Sequence, residues 1–238
     1  MLQIEHLDKS YKDRQVLKEI SLKIDTQQKN IYGLLGPNGA GKTSLMKTLA
    51  GILEYSEGKI FFDGEEADSK RLRKDCVFIA TGERGLRFRN TVQDNVFCFG
   101  AMKGCREKEV KKNLEMYADL LQFEPFLKRE VNTLSTGEKR KAQILCGLCS
   151  DAKILMLDEP SNGLDIDAQR ELQEVLKNVS EHCRKTILVS SHELDFLCGV
   201  VNHYIFLIHG QILREVSGSM GTEEVKKIYF QLREEVQQ

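Results

Sequence analysis

Ile31-Tyr32-Gly33-Leu34-Leu35-Gly36-Pro37-Asn38-Gly39-Ala40-Gly41-Lys42-Thr43 is the stretch on which the reading of the chain turns. It opens as a continuous apolar run of strand length, the pattern of a parallel strand buried on both faces. It then breaks into glycines and resumes near Lys42 as a helix. Gly36 to Thr43 match G-x-x-x-x-G-K-[ST] in full. Glycines let successive backbone N–H groups turn inward around an anion, and the N-terminus of the following helix adds a favourable field. Nucleotide phosphates held by Gly36, Pro37, Asn38, Gly39, Ala40, Gly41 and Ser44 would meet the Lys42 ammonium. The Thr43 hydroxyl would face magnesium.

Outward from that anchor, a strand followed by a turn recurs at Ile154-Leu155-Met156-Leu157-Asp158-Glu159-Pro160. It delivers two carboxylates at its C-terminal end, where α/β sheets bind ligands. Asp158 is expected to hold magnesium, directly or through water. Glu159 is then placed to polarise an attacking water as general base. The two anchors together describe a nucleotide hydrolase. A GTPase is disfavoured because the chain contains no Asn-Lys-x-Asp guanine motif.

Between and around the anchors the hydrophobic period changes twice. Leu2, Ile4 and Leu7, then Ile20, Leu22 and Ile24, alternate as strands do, and Lys59–Phe62 reads as a hairpin-like segment between glycines. From about Thr91 to Ser150 the pattern is helical, with Val110, Leu114, Tyr117 and Leu121 on one face. The last third alternates strand and helix: Ile154–Leu157, Ala168–Val179, Thr186–Val189, a helix after His192, and Tyr204–Ile208. Such alternation implies a parallel sheet covered by helices. Val225, Ile228, Leu232 and Val236 make a short amphipathic tail helix.

The composition fits. The chain has 238 residues, 41% hydrophobic and 30% charged, enough for an ordinary globular core without staples. A formal charge of −1 gives no basic excess, so no nucleic-acid partner is expected. No apolar run reaches the roughly 20 residues of a membrane span, and Met1–Glu5 lacks the features of a secretory signal. Seven scattered cysteines suit a reducing compartment. Cys146 and Cys149 form a C-x-x-C without a second ligand pair, and read as buried packing residues.

Leu134-Ser135-Thr136-Gly137-Glu138 stands before a helix and shortly upstream of Asp158. It resembles the LSGGQ signature of ABC ATPases, with Thr136 and Glu138 replacing a glycine and the glutamine. The resemblance runs from Leu2 to about Ile212. It implies a P-loop NTPase fold: a mostly parallel sheet core, an antiparallel β subdomain and an inserted helical subdomain. The chain would form one ABC ATPase domain over residues 1–238. Residues 1–83 and 151–215 would be its nucleotide-binding core, about 84–150 its helical subdomain and 222–236 its C-terminal helix. It also implies that the signature faces the γ-phosphate of ATP on an opposite subunit, so that ATP and Mg2+ are sandwiched between two chains. In the same family Tyr11 matches the residue that stacks on adenine. Asp165, in Ser161-Asn162-Gly163-Leu164-Asp165, matches the D-loop that crosses the dimer, and His192 the histidine that senses the γ-phosphate.

One motif departs. After Cys76–Ala80 the family has a Q-loop glutamine that contacts magnesium and tracks the membrane partner. Here the run is Thr81-Gly82-Glu83-Arg84-Gly85-Leu86. Thr81 falls at the expected place but is too short for both tasks, and Glu83 is the nearest residue of comparable reach. The implied function is the ATP-hydrolysing motor of an ABC transporter. It would pair with a second copy or a similar subunit, and be peripheral on the cytoplasmic face of the membrane through a transmembrane permease. Glu83-Arg84-Gly85-Leu86 and the short tail are similar to ABC-2 type exporters. The alternative is a non-transport ABC ATPase, in iron–sulfur assembly or on ribosomes.

Overall fold

Apolar alternation in the first residues builds an antiparallel sheet. In the computed structural model, which describes residues 1–183 and 185–236, β1 (Leu2–Tyr11) and β2 (Arg14–Ile24) form a hairpin. Then come β3 (Ile31–Leu35), α1 (Lys42–Leu49), β4 (Glu57–Phe62) and β5 (Glu65–Glu66). These four strands order as β2-β1-β4-β5, and Leu2, Ile4, Leu7, Leu17, Ile20, Ile60 and Phe62 bury one face of the sheet.

The chain continues through α2 (Ser69–Asp75), β6 (Cys76–Ile79), α3 (Val92–Met102), α4 (Glu107–Leu120) and α5 (Thr136–Cys149). It closes with β7 (Ile154–Asp158), α6 (Ile166–His182), β8 (Thr186–Ser191), α7 (Leu194–Cys198), β9 (His203–Ile208), β10 (Gln211–Ser217) and α8 (Thr222–Glu235). The second sheet orders as β10-β9-β3-β8-β7-β6, parallel throughout except for the antiparallel edge strand β10.

Side chains alternate across each parallel strand, so the sheet is the wall between two apolar clusters. Tyr32, Leu34, Met156, Leu188, Ile205 and Leu207 face α1 and the antiparallel sheet. Ile31, Leu35, Val77, Leu155, Leu157, Ile187 and Phe206 face the helices. Cys146 and Cys149 lie within this second cluster, 4% and 0% exposed, as the apolar stretch around them suggested.

Two elements were not anticipated. The α2 sequence, Ser69-Lys70-Arg71-Leu72-Arg73-Lys74-Asp75, has one apolar residue and no stripe. It is helical because Asp68 caps it, accepting from the Arg71 N–H at 2.7 Å. The edge strand β10 carries a mixed half-exposed pattern and is held by its hairpin with β9.

Candidate functional site

The cleft assembles where three parallel strands end side by side. β3 runs into the glycine loop, and β7 and β8 bring Asp158 opposite Ser190. Pro37 to Ser44, Thr81, Asp158 and Glu159 line a cavity of about 330 Å³.

Close backbone packing explains the glycines. A Cβ on Gly36 would stand 2.0 Å from the Leu207 carbonyl oxygen on β9. Gly41, the N-cap of α1, has φ +106°, a left-handed conformation that only glycine adopts without strain. The loop is pinned from outside as well. The Gly210 N–H donates to the Ala40 carbonyl at 3.1 Å, and the Gly210 carbonyl accepts from the Lys18 N–H at 2.8 Å.

Lys42 is 6% exposed, and its ammonium donates to the Gly36 carbonyl at 2.7 Å and the Pro37 carbonyl at 3.3 Å. It lies 3.6 Å from Glu159 Oε1. A buried ammonium needs oxygen partners, and phosphate oxygens would supply stronger ones than carbonyls.

Around Asp158 three hydroxyls converge. Thr43 Oγ1 donates to Oδ2 at 2.8 Å, and Ser190 Oγ donates to Oδ1 at 2.7 Å. Thr81 Oγ1 donates to the Asp158 carbonyl at 3.0 Å and lies 3.5 Å from Oδ2. Hard oxygen donors beside a phosphate cradle suit Mg2+, which prefers one or two carboxylates plus phosphate oxygens.

Glu159 turns the chain at φ +46°, a conformation uncommon for a residue with a side chain and concentrated at functional sites. Its N–H donates to the Ser190 carbonyl at 3.0 Å and to Ser190 Oγ at 3.1 Å. The turn aims the carboxylate at His192, whose backbone N–H donates to Oε2 at 3.2 Å and whose Nδ1 lies 2.8 Å from the same oxygen. Glu159 thus sits between Lys42 and His192, its side chain 14% exposed.

The remaining candidates stand farther out. Tyr11 is half-exposed, its hydroxyl 3.4 Å from Ser44 Oγ, and it flanks the cleft rather than lining it. Across the β1–β2 turn, Arg14 and Val16 line the cleft instead. Ser135 caps α5 in a reciprocal box: its Oγ accepts from the Glu138 N–H at 3.2 Å, and Glu138 Oε2 accepts from the Ser135 N–H at 2.7 Å. That bond leaves the Ser135 hydroxyl hydrogen free to donate outward. Leu134 is buried behind it, Thr136 and Gly137 begin the helix, and Gly137 packs near Ala168 of α6. Asp165 caps α6 through the Ala168 N–H at 2.8 Å. The structure divides the two Q-loop candidates: Thr81 reaches Asp158, whereas Glu83 directs its carboxylate to Lys139 of α5 at 2.8 Å.

Ser190 and Arg14 were not singled out in the sequence. The tandem Ser190-Ser191 before His192 was the available signal for the first, and for the second the hairpin register that pairs Arg14 with Tyr11.

Residues 17–162 match the family model described as ABC transporter. The chain is 33% identical over 238 residues to the lantibiotic transport ATP-binding protein SrtF of Streptococcus pyogenes, covering 98% of this chain and all of the relative. It is 30% identical to the ABC transporter ATP-binding protein NatA of Bacillus subtilis, covering 83% of this chain and 80% of that one. Among solved structures, cbiO1 from Clostridium perfringens, part of the ABC transporter complex cbiONQ, superposes with a TM-score of 0.82. It shares 27% identity with this chain, covering 95% of it and 90% of cbiO1. These likenesses support the transporter reading over the iron–sulfur or ribosomal alternative. The chain belongs to the ABC transporter family, as an ATP-binding and ATP-hydrolysing subunit.

Proposed function

We propose that this subunit powers an exporter, closing on ATP as a pair with a second copy or a similar chain. The observation that carries the chemistry is the placement of Glu159, one residue beyond the acid that binds the Thr43 hydroxyl and between Lys42 and His192.

In this reading Lys42 and the loop amides bind the β- and γ-phosphates, and Tyr11 stacks on adenine. Thr43 and Asp158 would hold Mg2+, which when bound would supply charge neutralisation at the transferring phosphoryl group. Ser190 orients the Asp158 carboxylate through Oδ1. Glu159 accepts a hydrogen bond from the attacking water and takes its proton, while His192 fixes the carboxylate and senses the γ-phosphate. Ser135 and the N-terminus of α5 face the γ-phosphate bound to the opposite chain, and Asp165 lies at the interface. The division into a core of residues 1–83 and 151–215, a helical unit of 84–150 and a tail helix of 222–236 belongs to this reading.

Among the described residues no helix is long and apolar enough to cross a membrane. We place the subunit on the cytoplasmic face, docked to a transmembrane permease. A groove of about 630 Å³ beside α2 and α3 fits that partner. Its lining includes Phe78, the exposed Ile52 and Met102, and the charged Asp68, Lys70, Arg73 and Lys74. Apolar side chains beside a basic excess favour a cytoplasmic permease helix carrying apolar and acidic side chains. Export, as opposed to import, rests on Glu83–Leu86 and on the similarity to a protein named for lantibiotic transport.

The test is Glu159→Gln. It should leave ATP binding intact, lower turnover by a hundredfold or more on the scale of lost general-base catalysis, and trap an ATP-bound dimer on gel filtration. Turnover equal to that of the parent would overturn the assignment of Glu159.

A further inference from the structure

The loop that replaces the Q-loop is fastened to the signature helix by two buried side chains. Arg140 and Gln143, 4% and 5% exposed, lie one helical turn apart on the inner face of α5. Arg140 Nη1 donates to the Ala80 carbonyl at 3.1 Å and to Gln143 Oε1 at 2.9 Å. Gln143 Nε2 donates to the Gly82 carbonyl at 3.0 Å and the Arg84 carbonyl at 2.7 Å. Lys139, beside them, takes the carboxylate of Glu83 at 2.8 Å. Two of the three carbonyls so held, those of Ala80 and Gly82, flank Thr81, whose hydroxyl meets Asp158.

We infer that Arg140 and Gln143 are positioning residues for the metal site, holding residues 80–84 so that Thr81 fixes the Asp158 backbone and carboxylate. The inference rests on the reading of Thr43 and Asp158 as the Mg2+ pair. By the resemblance read from the sequence, a glutamine at this place would combine reach to the metal with reach to the partner. Here the first task passes to a short hydroxyl acting through Asp158, and the helix that carries the signature sets its position. A threonine has one rotatable bond before its oxygen, so it can hold that contact only if its backbone is fixed from outside. The two α5 side chains supply that fixation. Burial pushes the Arg140 pKa down while the charges of Asp158 and Glu83 act against the shift, so the guanidinium also lies within the field of the metal-side acid.

The experiment measures Mn2+ affinity by electron paramagnetic resonance for the full chain with ATP, in the Glu159→Gln background to prevent turnover. Fluorescent-nucleotide binding in EDTA and circular dichroism serve as controls for folding. Thr81→Val should weaken Mn2+ binding about five- to tenfold, the size of one lost hydrogen bond, and Thr81→Ser should restore it. Gln143→Leu should weaken it in the same direction, and Arg140→Met provides a second release of the loop. Combined with Thr81→Val, Gln143→Leu should add less than twofold, because both changes break one linkage. Unchanged Mn2+ affinity in Thr81→Val, or effects of Thr81→Val and Gln143→Leu that multiply in full, would overturn the inference. Asp158→Asn separates the two layers: if it binds Mn2+ like its parent, the metal reading itself fails.

Discussion

Replacing Gly36 by alanine would place a methyl group 2.0 Å from the Leu207 carbonyl oxygen and 3.2 Å from the Ala40 Cβ. A carbonyl in a paired strand cannot rotate away, so relief requires β3 and β9 to separate at their C-terminal ends. Overpacking of this kind costs typically 1–3 kcal/mol, and a rigid backbone neighbour places it at the upper end, about 3 kcal/mol. Gly39 is the natural control, in the same loop with φ +81° but with nothing within 4 Å of its would-be Cβ. Alanine there bears only the left-handed conformational cost, roughly 1 kcal/mol. For a domain of this size each kcal/mol moves Tm by about 2–4 °C. Gly36→Ala should therefore melt about 6–12 °C below the parent and Gly39→Ala about 2–4 °C below it. Both are followed by circular dichroism without nucleotide, so that lost ATP binding does not contribute. A Gly36→Ala melting point within 2 °C of Gly39→Ala would refute the close-approach argument.

Two further outcomes follow from burial and charge. Cys76 and Cys146 are buried and their thiols are pushed up to about 12 by desolvation; both should resist a thiol reagent at pH 8 until the chain is unfolded, and early labelling of either would contradict their packing. Asp63 is held at about 2, below its ordinary 3.8, first by Lys153 and then by the N-terminal amine. A carboxylate whose folded pKa is depressed stabilises the fold above its unfolded pKa and loses that contribution as pH falls through the folded value. Asp63→Asn should thus lower the urea midpoint near pH 6 by a constant amount that shrinks between pH 3.8 and about 2. A difference that does not narrow over that range would exclude the ion pairs as its source.

The chemistry of the cleft was legible wherever it is encoded by neighbours in the chain. Gly36 to Thr43 and Asp158-Glu159 combine a buried strand with a turn, and both signals are local. Ser135 was also legible, because a serine followed three residues later by glutamate is a helix cap whatever surrounds it. Contacts made between distant segments were not. Nothing in Ser190 announces Asp158, because β8 and β7 meet only in the folded sheet, and Thr81 was placed near the metal by resemblance alone. Arg140 and Gln143 were not singled out, because their burial depends on the backbone carbonyls of a loop about 60 residues away. The α2 helix escaped because its cap, Asp68, precedes a run without apolar period.

The bridge through Gly210 has a bearing on how the subunit is made. The phosphate loop is written into the first 43 residues, yet it leans on the Gly210 amide and on a strand that ends at Ile208. Synthesis runs from the N-terminus at about 5–20 residues per second, so the loop leaves the ribosome many seconds before its buttress exists. Asp158 and the Ser190 hydroxyl that holds it also emerge in that interval. A nascent chain should therefore bind ATP at full strength only after β9 and Gly210 have been made. A chain stalled or truncated before β9 would carry every phosphate-loop residue and still lack the wall that shapes the loop.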